Sequence, residues 1–154
     1  MKEQKVLSVS AIENGTVIDH IPAMNLFKVI SILNLDTITE NRMTFGTNLG
    51  SKQLGHKAII KISGKFFEDI EIDKIALVAP SAKLNIIKNY EVVEKRALNV
   101  PDKIVAIAKC MNPKCVTNHQ KITTRFSVIH ADKKVNLKCS YCEKITDQDH
   151  LEIF

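Results

Sequence analysis

The 154-residue sequence is 45% hydrophobic and 25% charged, a composition that excludes a mostly disordered chain and leaves room for one ordinary domain or two small ones. No run approaches the roughly 18 apolar residues of a membrane span, and the polar start MKEQK lacks the apolar core of a secretory signal, so we predict a cytoplasmic protein. The net charge of +5 comes from 13 basic against 11 acidic residues in residues 1–100 and 9 against 6 in residues 101–154, without the dense basic stripe of a dedicated nucleic-acid binder.

Residues 1–100 alternate strand-like and helix-like segments. Apolar residues at every second position predict a strand over residues 6–12, which ends at the turn signal Asn14-Gly15. After Pro22, helical spacing predicts a helix with an apolar face made by Met24, Leu26, Phe27, Val29, Ile30 and Leu33. The further predicted elements are strands over residues 41–49, 58–62, 83–87 and 90–97, and a helix over residues 68–78 that Pro80 ends.

This order of elements is β-α-β-β-α-β with an extra strand, which favours an α+β fold with a ferredoxin-like antiparallel sheet and two helices on one face. The other face or an edge of such a sheet is available for a ligand or for a second copy of the chain. Short strands and turns around the cysteines follow Pro101, so we predict a small all-β zinc-ribbon-like domain there. We place the boundary near residues 99–102, between an N-terminal domain of residues 1–100 and a zinc domain of residues 101–154.

The four cysteines of the chain follow the pattern C-x4-C, a 23-residue insert, then C-x2-C, at Cys110, Cys115, Cys139 and Cys142. Two tight turns that each present two thiolates suit one tetrahedral zinc ion. Four sulfurs fill its coordination shell, so we predict one structural zinc per chain, which stabilises a domain too small to fold alone. Two disulfides or four buried free thiols are the alternatives, and a reducing cytosol disfavours the disulfides.

No motif in the sequence supports catalysis. The glycine-rich run over residues 50–57 has the glycine spacing of a P-loop but lacks its Gly-Lys-Ser/Thr end. Because it joins two predicted strands, we predict a hairpin loop. Asp19-His20 could form a catalytic dyad, a ligand contact or a polar loop, but no nucleophile with an attendant base is present in the sequence.

Other basic residues have more than one interpretation. Lys57 and Lys61 are four residues apart in a predicted strand and therefore share a face, where they can be solvated or can hold phosphates. His119 and His130 are predicted to be surface residues because four sulfurs already complete the zinc site.

Three stretches together resemble the regulatory chain of aspartate carbamoyltransferase, namely GTVIDHIPA at residues 15–23, NYEVV at residues 89–93 and LKCSYCEK at residues 137–144. The resemblance covers essentially the whole chain. It implies an allosteric subunit without catalysis of its own, whose N-terminal domain binds ATP or CTP, with UTP as a further candidate. It also implies that the zinc domain contacts the catalytic chain and that two regulatory chains form a dimer, for which an exposed sheet edge is available.

The resemblance further implies an effector site. Asp19 would contact the ribose, while His20 and Lys95 would contact the phosphates. Backbone groups of Ile12 and Tyr90 would recognise the base. The other residues of the site would be Lys61 near the sugar and base, Lys57, and the pocket-lining Ala11, Val17, Asn85, Ile87 and Val92.

Two positions depart from the best-known members of that family. Ser10 stands where a glutamate is found and Val6 where a lysine is usual, which bears on the choice among CTP, UTP and ATP. The candidates for the catalytic-chain interface are Asn112, Tyr141, Glu143 and Lys144. The main alternative function is a zinc-ribbon nucleic-acid binder, which would bind single strands with a steep salt dependence and would not respond to free CTP.

Overall fold

The computed structural model describes residues 11–131 and 134–154. Its first part is one five-stranded antiparallel sheet in the order β2-β3-β1-β4-β5, with two helices. The order β4-β1-β3-β2 is that of a ferredoxin-like sheet, and β5 is the extra strand. The predicted α+β fold class is therefore confirmed. The elements are β1 Gly15–Pro22, α1 Leu26–Ile32, β2 Met43–Ser51, β3 Gly55–Ser63, α2 Asp69–Val78, β4 Lys83–Lys88 and β5 Glu91–Ala97.

One face of the sheet packs against both helices and forms the main hydrophobic core. Alternation along the strands sends Ile18, Ile60 and Leu84 into this core, where all three are fully or almost fully buried. Helix α2 contributes Ile72 and Ile75 from one apolar stripe. Because this face is covered, the alternate residues of the same strands lie on the opposite, helix-free face.

Helix α2 begins with a capping box in which the Glu68 side chain accepts from the backbone of Glu71, whose own side chain accepts from the Glu68 backbone. The predicted helix over residues 68–78 is confirmed. Helix α1 is shorter than predicted because a 3-10 turn, Ala23–Asn25, precedes it. Met24 and Phe27 are 89% and 69% exposed, so the prediction that they belong to the buried face is wrong.

The central strand β1 was not predicted. Of the predicted strand over residues 6–12, residues 6–10 lie outside the described residues, and Ala11 and Ile12 belong to no strand. The true strand begins at Gly15, where a turn was predicted. Val17 packs against Ile12 and Ile87 on the helix-free face, so both faces of β1 are covered and the strand lacks the alternating pattern that identifies half-buried strands.

Gly15 occupies a position that requires glycine. Its φ of 141° lies in a region that L side chains rarely adopt, and a Cβ at this position would lie 2.0 Å from the Ile62 carbonyl oxygen and 2.9 Å from the Gly64 nitrogen. The absence of a side chain therefore lets β1 and β3 approach each other at their common end.

The second part of the chain is built from short strands. Four of them form a sheet in the order β10-β9-β8-β6, and β11 pairs with β7. Strands β8 and β9 pair as an antiparallel hairpin, in agreement with the short strands and turns predicted after Pro101. Ile104, Phe126 and Leu137 form its core together with the buried cysteines. The elements are β6 Lys103–Val105, β7 Ala108–Lys109, β8 Arg125–Ala131, β9 Lys134–Cys139, β10 Ile145–Thr146 and β11 Glu152–Ile153.

Helix α2 connects the two parts of the structure. Leu77 is fully buried in the second hydrophobic cluster, although its neighbours Ala76 and Val78 belong to the first. The Leu77 carbonyl also accepts a long hydrogen bond of 3.5 Å from Gln148 Nε2, and Lys74 Nζ donates to the Phe154 backbone carbonyl at 3.2 Å. In the part of the chain that the structure describes, no helix is long and apolar enough to cross a membrane.

Candidate functional site

The four cysteines come together at one end of the second sheet. Their Sγ atoms all lie within 4.8 Å of one another. The Sγ atoms of Cys110 and Cys142 are 3.7 Å apart, and those of Cys115 and Cys139 are 3.8 Å apart. These distances are much longer than a disulfide bond of about 2.05 Å. They match the edge of about 3.8 Å expected for a tetrahedron of thiolates about 2.3 Å from zinc.

The surroundings of the sulfurs also fit a metal ion. Each sulfur has a backbone N–H two residues further along the chain, from Asn112, Thr117, Tyr141 and Lys144 respectively, and each of these contacts lowers the thiol pKa. Burial acts in the opposite direction and is the larger effect for Cys110, raising its pKa to about 12. Thiolates that are shielded from water and hold N–H donors are suited to a divalent cation. The chain therefore has one structural zinc site, formed by all four cysteines, as predicted.

Two asparagines shape the first cysteine turn. Asn118 Nδ2 donates to the backbone carbonyls of Cys110 at 3.0 Å and Asn112 at 2.7 Å, closing the loop between Cys110 and Cys115. Asn112 Oδ1 accepts from the Lys114 backbone at 3.1 Å. Asn112 is partly buried, so this interface candidate has structural contacts of its own within the loop.

The other interface candidates lie on the second cysteine turn. Tyr141, Glu143 and Lys144 are all exposed. Tyr141 is anchored because its hydroxyl donates to the Thr123 carbonyl at 3.1 Å. Glu143 has a positive φ of 63°, which fits a tight turn around the metal site.

Two lysines lie in one row across the helix-free face of the first sheet. Strand register pairs Thr44 of β2 with Lys61 of β3, Lys61 with Val17 of β1, Val17 with Asn85 of β4, and Asn85 with Lys95 of β5. Directly paired residues of antiparallel strands share a face. Lys61 and Lys95 are three strand spacings apart, or about 14 Å. The helix-free face therefore carries one lysine on β3 and another on the edge strand β5, with Val17 and Asn85 between them.

Asp19 is the acidic group of this face. Its Oδ1 accepts from Lys57 Nζ at 2.9 Å and from the His20 backbone N–H at 2.6 Å. Burial raises the pKa of Asp19, but Lys57 and the His20 N–H together lower it more, so the net pKa lies below the usual value. Burial lowers the pKa of Lys61, and the Asp19 carboxylate partly offsets this. The structure therefore brings Asp19, His20, Lys57 and Lys61 together, as the resemblance implies.

The Asp19–Lys57 pair predicts a pH dependence. Because the folded-state pKa of Asp19 is depressed, the pair stabilises the fold above the unfolded pKa of about 3.9 and loses this contribution as the pH falls through the folded value. In Lys57→Met, we expect the Asp19 pKa to rise towards or above 3.9, as measured by carboxyl ¹³C NMR titration. Lys52→Met removes an exposed lysine of the neighbouring hairpin turn and should leave the Asp19 pKa unchanged. An equal pKa in all three proteins would contradict an electrostatic role of Lys57.

A cavity of about 360 Å³ opens at the β2 side of this face, towards the start of β1. Three of the predicted effector residues, Ala11, Ile12 and Tyr90, line it. Tyr90 has a positive φ of 66° and is 67% exposed, and its N–H donates to the Glu13 carbonyl at 2.9 Å. The Tyr90 N–H is therefore already hydrogen-bonded. The Tyr90 carbonyl is the backbone group of this residue that remains for a contact with a ligand. The other residues lining the cavity are Glu13, Arg42, Thr44 and Ser63.

Two buried polar atoms lack a hydrogen-bond partner within residues 11–131 and 134–154, one in the lining of the cavity and one beside Asp19. They are His20 Nδ1, which is 3.5 Å from Asp19 Oδ2 without a hydrogen bond, and Thr44 Oγ1. Buried polar atoms are seldom left unpaired, because each costs on the order of 1–3 kcal/mol. Each of these atoms is therefore available for a hydrogen bond to a ligand or to ordered water.

Glu13, Arg42, Thr44 and Ser63 were not predicted from the sequence. Regular pairing from the hairpin turn would place Phe45 opposite Lys61, and a register shift between Gly46 and Leu49 places Thr44 there instead. The other three lie at strand ends or in a loop, where no periodicity applies. Val92 of β5 is paired with Ile87 and is 46% exposed, so it lies at the edge of the helix-free face.

The remaining motifs agree with their predicted roles. Residues 51–55 form the turn of the β2–β3 hairpin, so the glycine-rich run is not a P-loop. His119 and His130 are exposed, and neither belongs to the four-sulfur cluster.

Comparisons with known proteins give one family for the whole chain. A family model described as the allosteric domain of the aspartate carbamoyltransferase regulatory chain matches residues 7–99, and a model of the metal binding domain of the same chain matches residues 102–152. Proteins named aspartate carbamoyltransferase regulatory chain are 53% identical in Bacteroides fragilis and 50% in Porphyromonas gingivalis, over 99% of both chains in each case. Another, from Thermococcus sibiricus, is 49% identical over 94% of this chain and 95% of the relative. The chain therefore belongs to the family of aspartate carbamoyltransferase regulatory chains, with an allosteric domain and a metal-binding domain.

Proposed function

We propose that this chain is the regulatory subunit that modulates aspartate carbamoyltransferase in pyrimidine biosynthesis, in the cytoplasm, by binding nucleotide effectors. Membership among regulatory chains makes it a non-catalytic subunit. Residues 1–100 would bind ATP or CTP, with UTP as a further candidate, and residues 101–154 would hold zinc and contact the catalytic chain.

The observation that carries the proposal is the helix-free face, where Lys61 and Lys95 lie in one row and Lys57 pairs with Asp19. Two buried polar atoms of the first domain also lack a hydrogen-bond partner among the described residues. A nucleotide would supply phosphates for the lysines and hydroxyl and ring groups for the unpaired atoms. Lysine binds phosphate as a mobile point charge, and the exposed Lys95 has this freedom. His20 Nδ1 is buried without a hydrogen-bond partner among the described residues, 3.5 Å from Asp19 Oδ2, which supports a role as a further phosphate contact.

The opposite charges of the face support one orientation of the nucleotide. Asp19 is an ionised acceptor suited to ribose hydroxyls, and Lys57 balances its charge at 2.9 Å. Lys61, on β3 next to Thr44 in the row, would lie near the sugar and base. The cavity lined by Ile12 and Tyr90 would then receive the base, leaving the phosphates towards Lys95.

Allosteric control requires that nucleotide binding differ in affinity between two quaternary arrangements of the enzyme. Typical coupling free energies are about 1–3 kcal/mol, which change the substrate affinity about 5- to 150-fold. Helix α2 supports the transfer of such a bias, because its residues belong to the core below the effector face and Leu77 to the core of the zinc half.

The zinc half presents the surface proposed for the catalytic chain. Met111, Val116 and Ile145 are exposed apolar residues around the cysteine turns, and Tyr141 is 42% exposed beside them. Exposed apolar groups grouped on a small domain are typical of a docking surface. Asn112, Glu143 and Lys144 would add polar contacts around it.

A second regulatory chain is the other proposed partner. Strand β2 is an edge of the five-stranded sheet, and an unpaired edge is a template for another chain. Phe27 and Phe45 form an edge-to-face pair beside it, with ring centroids 6.3 Å apart, and Met24 is 89% exposed next to them. These features support a dimer that joins at the β2 edge.

Calorimetric titration of CTP into the zinc-loaded chain tests the proposed effector site. We expect saturable binding that is weakened about 10- to 100-fold in Lys95→Ala, because a charge-assisted phosphate contact contributes about 1.5–3 kcal/mol. Lys88→Ala is the matched control, since Lys88 is exposed and paired with Glu91 at the end of β4. Absence of CTP and ATP binding to the wild-type chain would refute the effector function. Equal losses in both variants would refute the specific role of Lys95.

A further inference from the structure

Two side chains donate hydrogen bonds to sulfurs of the zinc site. Thr117 Oγ1 lies 3.2 Å from Cys115 Sγ, and the Asn112 side chain bonds Cys142 Sγ. A cysteine that binds a metal is a thiolate without a proton, so the side chain must be the donor in both contacts. The backbone N–H groups around the sulfurs come with the shape of the turns, whereas these two donors depend on which residues occupy positions 112 and 117.

Thr117 contacts a sulfur that is shielded from water. Cys115 is 1% exposed, and both the N–H and the hydroxyl of Thr117 bond its Sγ. The 3-10 turn Val116–Asn118 holds Thr117 in this position, two residues after the cysteine. Because water has little access to Cys115, a hydroxyl removed from Thr117 would not be replaced, and the buried thiolate would lose a group that offsets its charge.

Asn112 links the two cysteine turns. Its backbone N–H bonds Cys110 Sγ in its own turn, and its side chain bonds Cys142 Sγ in the other turn. These two sulfurs are 3.7 Å apart. Asn112 Oδ1 accepts from the Lys114 backbone N–H at 3.1 Å, which fixes the orientation of the amide and leaves Nδ2 as the donor to sulfur. Asn112 therefore spans one edge of the four-sulfur cluster.

We infer that Thr117 and Asn112 are positioning residues of the zinc site, whose side chains hold the Cys115 and Cys142 sulfurs in the cluster and offset its negative charge. Four thiolates carry more negative charge than one Zn²⁺ neutralises, and three of the four cysteines are buried. Outer hydrogen-bond donors of this kind orient metal ligands and tune the metal. The inference concerns the zinc half alone and does not depend on a nucleotide.

The first test measures zinc affinity by competition with a chelator in the full chain. Thr117→Val replaces the hydroxyl by a methyl group of similar size, and we expect it to weaken zinc binding about 10- to 100-fold. Thr117→Ser keeps the hydroxyl and should retain most of the wild-type affinity. Thr123→Val makes the same exchange at an exposed threonine of the zinc half and should bind zinc as the wild type does.

Asn112→Asp tests the second donor. The aspartate keeps an acceptor for the Lys114 N–H but places a carboxylate oxygen, in place of an amide donor, against the Cys142 sulfur. We expect a loss of zinc affinity at least as large as that of Thr117→Val, because a donor is lost and like charges are brought together. Asn99→Asp adds the same charge at an exposed position before the zinc half and should leave the affinity unchanged.

A spectroscopic measurement separates a hydrogen bond to sulfur from a general effect on folding. Cobalt(II) in place of zinc gives a sulfur-to-metal charge-transfer band, and a donor to the thiolate raises the energy of this band because it stabilises the sulfur electrons. We therefore expect the band to move to longer wavelength in Thr117→Val and Asn112→Asp. It should stay at the wild-type wavelength in Thr117→Ser, Thr123→Val and Asn99→Asp.

Three results would overturn the inference. The first is a wild-type zinc affinity in both Thr117→Val and Asn112→Asp. The second is a weaker affinity with an unmoved cobalt band, which would assign these residues to the folding of the turns and not to the sulfurs. The third is an equal loss in Thr117→Ser and Thr117→Val, which would show that the hydroxyl is not the group that matters. None of these results bears on nucleotide binding, so the inference and the proposed effector function can be refuted separately.

Discussion

Removing zinc is expected to unfold residues 103–153 while the five-stranded sheet stays folded. Structural zinc supplies about 10–16 kcal/mol to small domains at neutral pH. The core of the zinc half is a small cluster of Phe126 with aliphatic residues such as Ile104 and Leu137, and the cysteines themselves make up part of it. We expect a chelator to abolish hydrogen-exchange protection in β8 and β9 and to leave protection in β1 and β3.

Cys139→Ser should reproduce this loss without a chelator. Ser140→Ala is the matched control, because the Ser140 side chain is exposed and only its backbone N–H bonds the Arg125 carbonyl. In this variant, hydrogen-exchange protection of β8 and β9 should stay at the wild-type level. Retained protection in β8 and β9 after complete metal removal would show that the hydrophobic cluster suffices and that zinc is not structural.

Gly15→Ala is expected to destabilise the first domain by about 3 kcal/mol or more. The new methyl group would overlap the Ile62 carbonyl, 2.0 Å away, and the φ of 141° is strained for alanine. Both neighbours are backbone atoms, the Ile62 carbonyl oxygen and the Gly64 nitrogen, so no side chain can move aside. The measurement is urea unfolding followed by far-ultraviolet circular dichroism.

Gly50→Ala is the control for this substitution. Gly50 has nothing within 4 Å of the position of a Cβ, so alanine there should change the free energy of unfolding by no more than about 0.5 kcal/mol. Similar stabilities of the two variants would mean that β1 and β3 separate at little cost and that the close approach at Gly15 is unimportant.

Local signals made part of the fold predictable from the sequence. Helix α2 has Ile72, Ile75 and Ala76 at helical spacing and Pro80 after its end, so the prediction from these residues was correct to within one residue. The four cysteines were equally predictable, because each pair is fixed by a turn of a few residues and needs no long-range contact.

The features that could not be predicted from the sequence depend on packing between segments that are distant along the chain. β1 is buried on one side by the helices and on the other by Ile12 and Ile87, so its burial depends on segments distant in sequence. Met24 follows the helical spacing but precedes α1, and Phe27 faces outward. For the same reason Arg42 and Glu13, which are 29 positions apart, could not be assigned to one cavity before the sheet order was known.

Metal binding also affects the burial of Leu77, because this residue packs in the core of the zinc half. It is packed in the cluster of the zinc half, at the last turn of a helix whose other buried residues are in the first core. A chain that has lost its metal would therefore expose Leu77 on a folded helix, beside an unfolded segment rich in apolar residues. Exposed apolar surface of this kind promotes aggregation and recognition by chaperones and proteases. The supply of zinc would thus control how much of this protein persists in a cell, independently of any effector.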